Sequence, residues 1–404
     1  PRYSLRVRNN EFDHANLAIG IAEAHAQGRR FYVVVNIAPH NAKLKTFLKD
    51  LEPVVAMGPD ALIMSDPGLI MLVREHFPQM PVHLSVQANA VNWASVEFWR
   101  RQGLSRVILS RELALEEIEE IRQQVPDMEL EVFVHGALCM AYSGRCLLSG
   151  YINKRDPNQG TCTNACRWKY QAHEGQENEL GGIVRGCQPT LGEGAATERL
   201  FLLEDESRPG ELMEAFEDEH GTYIMNSKDL RAIQHVERLT RMGVHSLKIE
   251  GRTKSHFYVA RTAQVYRRAI DDAVAGRPFD LRLMDDLESL ANRGYTEGFL
   301  RRHVHDEYQN YERGNSLSER QQFVGEFTGV RRGELAEVRV KNRFAVGDQL
   351  ELMTPRGNLQ FSLSALQKAS GERTELAPGD GHIVYLPLPA EVALEHALLL
   401  RQLA

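Results

Sequence analysis

Residues 130–146 read LEVFVHGALCMAYSGRC, and this stretch combines the two patterns that decide the fold. Its first six residues, Leu130–His135, are a short apolar run of the kind that forms a buried strand. The run ends on the polar residue His135, and a glycine and two cysteines follow it. The stretch therefore predicts a buried strand that leads directly into a cysteine-bearing segment.

The same unit, a short apolar strand followed by an amphipathic helix, recurs between residues 11 and 275 at intervals of roughly 25 residues. Helices are predicted over 12–27, 42–55, 114–125, 230–242 and 255–275. The strands are predicted over 31–36, 61–66, 82–87, 106–111, 130–135, 223–227 and 246–250. This alternation is typical of a parallel sheet whose strands are joined by crossover helices.

The number of strands points to a barrel. One more strand upstream of the first helix would bring the count to the eight of a (β/α)8 barrel. Because the chain begins at Pro1 and not at Met, we expect that this first strand is missing from the numbered residues. An open doubly wound sheet is the alternative. No Gly-x-Gly-x-x-Gly follows a strand, so the sequence gives dinucleotide binding no support.

The barrel-like domain is expected to cover residues 1–280 and to carry a cysteine-rich insert at 136–222, where residues 167–222 are rich in Gly, Glu and Asp. Residues 281–320 read as a helical connector. The remainder, 321–404, contains short alternating apolar runs typical of a small all-β barrel. These runs are 323–330, 335–340, 348–352 and 381–386.

The composition limits where in the cell the protein can function and how it can bind nucleic acid. The chain has 404 residues, 43% of them hydrophobic, and a formal net charge of −7. No apolar run is long enough to span a membrane, and no signal segment is present, so we expect a cytoplasmic protein. The acidic total argues against a surface that coats nucleic acid broadly, although a local basic site remains compatible with it.

Four of the five cysteines lie close together in the sequence, as Cys139, Cys146, Cys162 and Cys166. Four thiolates with arginines nearby suit a metal ion or an iron–sulfur cluster. Structural zinc usually uses two tight Cys-x(2–4)-Cys pairs, and only the last two cysteines have that spacing. A 4Fe-4S cluster therefore fits better than zinc, while zinc and the absence of any metal remain alternatives. Cys187 reads as a spare thiol in a loop.

Polar residues at the ends of the predicted strands are the candidates for catalysis, because strand ends carry the active site of parallel α/β barrels. The candidates are Gln87, His135, Lys248, Glu250 and Arg252. Each also has a structural interpretation. Gln87 could satisfy a turn, His135 could be a core histidine, and Lys248 with Glu250 could form an ion pair on one face of their strand. Arg252 could instead hold a phosphate or carboxylate through two hydrogen bonds.

Four stretches together carry a family resemblance. They are 131–149, with Glu131, Phe133, Gly136-Ala-Leu-Cys139, Gly144-x-Cys146 and Ser149, and then 160–167, 221–229 and 248–252. With these motifs the chain resembles the collagenase-like peptidase family (U32 type), over nearly its whole length and including the C-terminal β-barrel. In that family four cysteines hold a 4Fe-4S cluster, and Cys139, Cys146, Cys162 and Cys166 match them residue by residue.

The resemblance implies a function other than proteolysis. Family members similar to this chain hydroxylate RNA or quinones without molecular oxygen. For this chain the implied reaction forms 5-hydroxyuridine at the wobble position of tRNA, with prephenate as co-substrate or activator and the iron–sulfur assembly machinery as partner. A collagenase-type peptidase is one alternative, although no Gly-x-Ser-x-Gly or His-Glu-x-x-His motif is present. A non-enzymatic, metal-stabilised RNA-binding protein is the other.

Because the protein is acidic overall, a tRNA anticodon loop would have to bind to local basic patches. One candidate patch lies beside the cysteines and the other in the C-terminal barrel. The residues are Lys154, Arg155, Arg167, Trp168 and Lys169 in the first patch, and Arg331, Arg332, Lys341 and Arg343 in the second. An exposed Trp168 could stack on an unpaired base. The alternative is that Trp168 packs beside the cluster and that the arginines are merely solvated.

Overall fold

The computed structural model describes residues 3–4, 12–138, 142–143, 145–146, 170–177, 183–185, 200–205, 212–218, 221–222, 229–251, 254–290, 292, 294–301 and 321–403. The chain forms two compact units. The first comprises Pro1–Ala232, Arg241–Glu250 and Arg293–Gly314, and the second Ile233–Thr240, Gly251–Asn292 and Asn315–Ala404. The predicted domain limits near residues 280 and 320 stay predictions.

The first unit begins with helices and strands that alternate along the chain. In order they are α1 (His14–Ala26), β1 (Tyr32–Val35), α2 (Asn41–Ala56), β2 (Ala61–Met64), α3 (Pro67–His76), β3 (Val82–Leu84), α4 (Trp93–Arg101), β4 (Arg106–Ile108), α5 (Leu115–Gln124) and β5 (Glu129–Ala137). Each strand pairs in parallel with the next, from β1 to β5. Every residue of β2, β3 and β4 is buried, as expected for parallel strands covered on both faces. The predicted α/β class is thus confirmed.

Polar residues at the strand ends also start the helices. The side chain of Asp66 accepts a hydrogen bond from Leu69 N at 2.8 Å, and Pro67 occupies the first helical position of α3. Asn92 accepts from Ser95 N at 2.9 Å at the start of α4. These side chains satisfy backbone N–H groups that the first turn of a helix leaves unpaired. Asp66 therefore has a structural role as a helix cap.

The insert contains strands that the sequence analysis did not predict. They are β6 (Tyr170–Glu177), β7 (Ile183–Arg185), β8 (Leu200–Asp205), β9 (Leu212–Asp218) and β10 (Gly221–Thr222). They form an antiparallel sheet in the order β10-β9-β8-β6-β7. The sequence analysis missed these strands because their short apolar runs lie in a segment that is rich in Gly, Glu and Asp.

The chain then continues through β11 (Asp229–Arg231), α6 (Val236–Arg241), β12 (Ser246–Glu250), α7 (His256–Val274), α8 (Arg282–Glu288) and β13 (Tyr295–Thr296). The predicted start of a helix at Leu230 is wrong. Leu230 lies in β11, which pairs antiparallel with the carboxyl end of β5 and parallel with β13. These non-local pairings override the local helical pattern, and α6 begins only at Val236. The predicted strand at 223–227 lies outside the described residues.

Strand β12 returns to the parallel sheet and pairs with β5. The register shifts between Lys248 and Ile249, so that Lys248 lies opposite Phe133 and Ile249 opposite His135. The strands therefore lie side by side in the order β1-β2-β3-β4-β5-β12, and each runs parallel to the next. No described residue pairs β1 with β12 or β13, so closure into a (β/α)8 barrel stays a prediction.

The C-terminal part of the second unit is an all-β domain, as predicted. Its strands are β14 (Gln321–Arg332), β15 (Leu335–Val340), β16 (Phe344–Ala345), β17 (Gln349–Thr354), β18 (Gly357–Ser362), β19 (Leu366–Lys368), β20 (Arg373–Thr374), β21 (Leu376–Ala377), β22 (Ile383–Pro387) and β23 (Leu398–Gln402). Eight of them form one sheet in the order β18-β17-β23-β14-β15-β22-β19-β20, and β16 pairs with β21. The core includes Val324, Val338, Phe344, Leu352 and Leu399.

Helix α7 belongs to the same unit as this β domain. Ser255 caps its start by accepting from Tyr258 N at 3.1 Å. Its Arg261 and Glu351 of β17 form a buried ion pair, with 3% and 6% of their side-chain surface exposed. Across the described part of the chain, no helix is both long and apolar enough to cross a membrane.

Gly136 in β5 is expected to be intolerant of a side chain. Its φ is +111°, and a Cβ there would lie 2.5 Å from Glu250 O of the neighbouring strand. We expect Gly136→Ala to lower the free energy of unfolding by about 3 kcal/mol, because strain and a backbone clash combine. Gly58→Ala is the matched control, since Gly58 also has a positive φ but open space around it. Urea unfolding of both variants would measure the difference, and equal losses would contradict the role of the close strand approach.

Candidate active site at the strand ends

Polar side chains connect the carboxyl ends of β1, β2 and β3. Asn36 Nδ2 donates to Ser85 Oγ at 3.1 Å and to Gln87 Oε1 at 2.7 Å. Ser85 Oγ also donates to Gln87 Oε1, and Ser65 Oγ donates to Asn36 O at 3.1 Å. Because Gln87 Oε1 receives two hydrogen bonds, the half-buried amide is oriented with its nitrogen turned away from Asn36. Gln87 can thus offer N–H donors to a bound group.

Two ion pairs flank the ring of Phe133 in β5. Lys248 Nζ lies 2.5 Å from Glu131 Oε1, and Arg111, which follows β4, pairs with Glu250. The guanidinium of Arg111 lies over the Phe133 ring at 3.7 Å from its centre, and Lys248 Nζ lies at 5.6 Å. The interpretation of Lys248 and Glu250 as partners of each other is wrong. Lys248 pairs with Glu131 of β5, and Glu250 pairs with Arg111, which follows β4.

Within each of these two ion pairs, one side chain is much more exposed to solvent than the other. The side chains of Lys248 and Glu250 are 29% and 23% exposed, whereas those of Glu131 and Arg111 are 4% and 7% exposed. The buried member of each pair can therefore fix the position of the more accessible one. A bound polar molecule at this edge could reach Lys248 and Glu250 but would contact their partners less.

His135 lies at the buried end of β5, with 1% of its surface exposed. Its ring centre is 5.5 Å from that of Tyr295 in β13. The guanidinium of Arg231 in β11 lies over the Tyr295 ring, 4.7 Å from its centre. Arg231 is also opposite His135 in the antiparallel register. His135 is thus packed within an aromatic and cationic stack, which agrees with a core or positioning histidine.

A second charged network lies toward the amino ends of the strands. Arg106 of β4 donates to Glu129 Oε2 at 2.7 Å and to Glu131 Oε2 at 3.2 Å, so Glu131 accepts from cations on two neighbouring strands. Burial alone would raise the pKa of Glu131, but Lys248 and Arg106 hold it below its ordinary value. Burial, assisted by Arg106, lowers the pKa of His83 to about 4. His83 is therefore neutral at pH 7 and packs edge-on against Tyr32.

The structure describes one of the predicted cluster cysteines. Cys146 is half-buried. Cys139, Cys162 and Cys166 lie outside the described residues, as do Cys187 and the strand-end candidate Arg252. Within the described ranges no group of acidic, histidine and cysteine side chains could hold a metal ion, so the metal site stays a prediction.

The basic candidates of the C-terminal domain are in different situations. Arg331 donates to three backbone carbonyls, of Leu388 at 3.0 Å and of Pro389 and Val392 at 2.9 Å, and so holds the segment after β22. Arg332 donates to Ala369 O and stacks over Tyr385. Lys341 lies 3.8 Å from Glu326.

Arg343 is an exposed residue that precedes β16. The candidates near the cysteines, Lys154, Arg155, Arg167, Trp168 and Lys169, lie outside the described residues.

Comparison with known proteins identifies the family. The N-terminal 310 residues match Peptidase family U32, and residues 319–401 match the Peptidase family U32 C-terminal domain. The chain belongs to peptidase family U32.

Two similar U32 relatives cover almost the whole chain. The tRNA hydroxylation protein P of Escherichia coli (strain K12) is 73% identical over 409 residues, which are 99% of this chain and 90% of that protein. The protein of the same name from Haemophilus influenzae is 68% identical over 415 residues, covering 100% of this chain and 90% of its own length. A more distant relative, the 23S rRNA 5-hydroxycytidine C2501 synthase of E. coli, is 26% identical over 88% of this chain and 49% of that protein.

Three interior residues of this U32 chain, Glu131, Phe133 and Arg106, were not among the predicted site residues. The sequence carried one usable signal, since Glu131 and Phe133 are two residues apart in a stretch of regular register and so share one face of β5. A charged residue within an otherwise apolar run also indicates a buried charge that needs an oppositely charged or hydrogen-bonding partner. Arg106, which opens β4, gave no comparable signal.

The buried His83 predicts a specific pH dependence of stability. Its pKa is about 4 in the folded protein and 6.5 when unfolded. As the pH falls, His83 therefore takes up a proton in the unfolded chain before it does so in the folded protein. The free energy of unfolding decreases by about 3 kcal/mol as the pH falls from 6.5 to about 4. In urea unfolding at several pH values, His83→Gln should show a smaller loss over this window. The exposed His76→Gln serves as control, and an unchanged slope in His83→Gln would contradict the assignment.

Two arginines of the C-terminal domain should respond differently to substitution. Arg331→Ala removes three hydrogen bonds from a cation and should lower the free energy of unfolding by about 2–3 kcal/mol. Arg343→Ala, at an exposed position, should change it by less than about 0.5 kcal/mol. If this domain contacts tRNA, Arg343→Glu together with Lys341→Glu should weaken binding and flatten its salt dependence. Wild-type affinity and salt slope in that double variant would remove the domain as an RNA surface.

Proposed function

We propose that this protein is a tRNA-modifying enzyme that hydroxylates uridine at the wobble position to 5-hydroxyuridine without molecular oxygen. The observation that carries the proposal is the 73% and 68% identity, over essentially the whole chain, to two proteins named tRNA hydroxylation protein P. A family relative named as a 5-hydroxycytidine synthase of 23S rRNA supports the same reaction type on another RNA. A cytoplasmic location, where tRNA is found, is part of the proposal.

We place the reaction at the carboxyl ends of the parallel strands, in a domain that closes as a (β/α)8 barrel. Support comes from the chain-ordered parallel pairing of β1 to β5 and β12, since such sheets bind their ligands at that edge. Gln87 would donate to a carbonyl of the substrate, and Lys248 and Glu250 would bind or exchange protons with it. Arg252 would hold an anionic group. His135 would position the strand end from behind.

A 4Fe-4S cluster held by Cys139, Cys146, Cys162 and Cys166 is the proposed cofactor. Four thiolates are the usual ligands of such a cluster, and the resemblance of these four cysteines to the cluster ligands of the family supports that role. The cluster would supply one-electron redox chemistry. Prephenate as co-substrate or activator, and delivery of the cluster by the iron–sulfur assembly machinery, complete the proposal.

The tRNA would approach with its anticodon loop, whose bases are unpaired and can be splayed out for recognition. The basic and aromatic residues beside the cysteines, Lys154, Arg155, Arg167, Trp168 and Lys169, are the favoured contact. Arg343 and Lys341 of the C-terminal domain are a second contact. Arg331 and Arg332 contribute less directly, because their guanidinium groups bind backbone carbonyls.

Complementation of a strain that lacks the gene tests the function and the cofactor together. The wild-type gene should restore 5-hydroxyuridine and its derivatives in tRNA, measured by nucleoside mass spectrometry. Cys146→Ala should abolish this and lower iron and acid-labile sulfide in the purified protein, because one iron loses its thiolate. Cys187→Ala is the matched control and should retain both.

The outcomes separate the two parts of the proposal. Failure of the wild-type gene to change the tRNA nucleosides would overturn the function. Full iron content in Cys146→Ala would instead remove Cys146 from the ligand set while leaving the function standing.

A further inference from the structure

Asn89 has an unusual backbone conformation close to the candidate site. It ends the short 3-10 turn Val86–Ala88 that follows β3, and its φ of 51° and ψ of 50° are left-handed. Among residues with a side chain, asparagine tolerates this conformation best. The turn that carries Gln87 therefore ends on a residue with a left-handed backbone and a polar side chain.

The amide of Asn89 makes that contact with both its ends. Its Nδ2 donates to Ser143 O at 3.0 Å and to Val86 O at 3.3 Å. Its Oδ1 accepts from Arg145 Nε at 3.2 Å. One side chain thus joins the end of β3 to two residues that lie 54 and 56 positions further along the chain.

The residues that Asn89 binds belong to a tight turn directly before Cys146. Arg145 N donates to Tyr142 O at 3.0 Å, which closes the turn. Tyr142 and Arg145 are exposed, so packing does little to hold these two side chains. In the described portion of the chain, Asn89 is the side chain that hydrogen-bonds this turn to the sheet. Its position consequently limits where the Cys146 thiol can lie.

We propose that Asn89 is a positioning residue that latches Ser143 and Arg145 onto the turn that follows β3 and so restricts the position of the adjacent Cys146. The latch follows from the hydrogen bonds themselves. Its purpose, to hold a cluster ligand at a set distance from the substrate edge, rests on the proposed function. Residues 87 and 89 lie on the same short turn, so this turn carries the Gln87 amide and also holds, through Asn89, the residues that precede Cys146.

Two substitutions of Asn89 separate the backbone from the amide. Asn89→Gly keeps the left-handed backbone, which glycine adopts readily, and removes only the side-chain contacts. Asn89→Asp retains an acceptor for Arg145 but cannot donate to Ser143 O. Asn342→Ala is the matched control, because Asn342 Nδ2 also donates to a backbone carbonyl, Phe323 O at 2.8 Å, within the second unit.

The first measurement is the alkylation rate of Cys146 in the full-length, reduced, metal-free protein. Trypsin releases residues 146–154, in which Cys146 is the one cysteine, so mass spectrometry reads this thiol alone. Loss of the latch should speed the labelling of Cys146 about tenfold in Asn89→Gly, because the turn opens more often. Asn89→Asp should be intermediate and Asn342→Ala unchanged, while the thermal midpoint of Asn89→Gly stays close to that of the wild type.

An unchanged Cys146 rate in Asn89→Gly would overturn the latch, and so would an equal rise at Cys187, which would indicate general loosening. The second measurement is the loss of iron to a chelator from protein purified without oxygen, which should be several-fold faster in Asn89→Gly. If the wild-type protein holds no iron, the proposed cofactor fails. The labelling experiment still decides the latch in that case, so the two failures are distinguishable.

Discussion

The buried carboxylate of Glu131 is the charge on which the interior of the first unit depends. A carboxylate with 4% of its surface exposed is costly unless opposite charges and hydrogen bonds satisfy it. Lys248 of β12 and Arg106 of β4 supply both, one at each edge of β5. The requirement fixes three strands relative to one another. A register shift of one residue in β12 would turn Lys248 to the opposite face and leave Glu131 with a single partner.

The same strand explains how the candidate site is supported. Glu131, Phe133 and His135 follow one another along β5, and each contacts a different neighbour, namely Lys248, Arg111 and Tyr295. At Gly136 the lack of a side chain lets the end of β12 come close, which brings Glu250 to Arg111. The accessible polar groups are thus carried by residues whose own positions are determined in the core.

The parallel strand–helix units could be predicted from sequence because buried parallel strands read as continuous apolar runs. The partners of Lys248 and Glu250 could not, since period two places them on one face but says nothing about neighbouring strands. The start of the helix predicted over 230–242 is wrong because residues 230 and 231 belong to a strand whose partners are distant in sequence, at positions 135–137 and 295–296. Arg331 stays a predicted RNA contact, but the sequence could not reveal that its guanidinium donates to three backbone carbonyls.

The two compact units alternate along the chain, and this has a consequence for how the protein can evolve. Residues 251–292 belong with the C-terminal β domain, and the buried pair of Arg261 and Glu351 spans that long sequence separation. A genetic exchange at residue 320 would bring in a β domain while retaining the old helix α7, leaving a buried arginine opposite a foreign surface. Recombination within the family should therefore conserve both segments together, so that α7 and β17 are inherited as one piece.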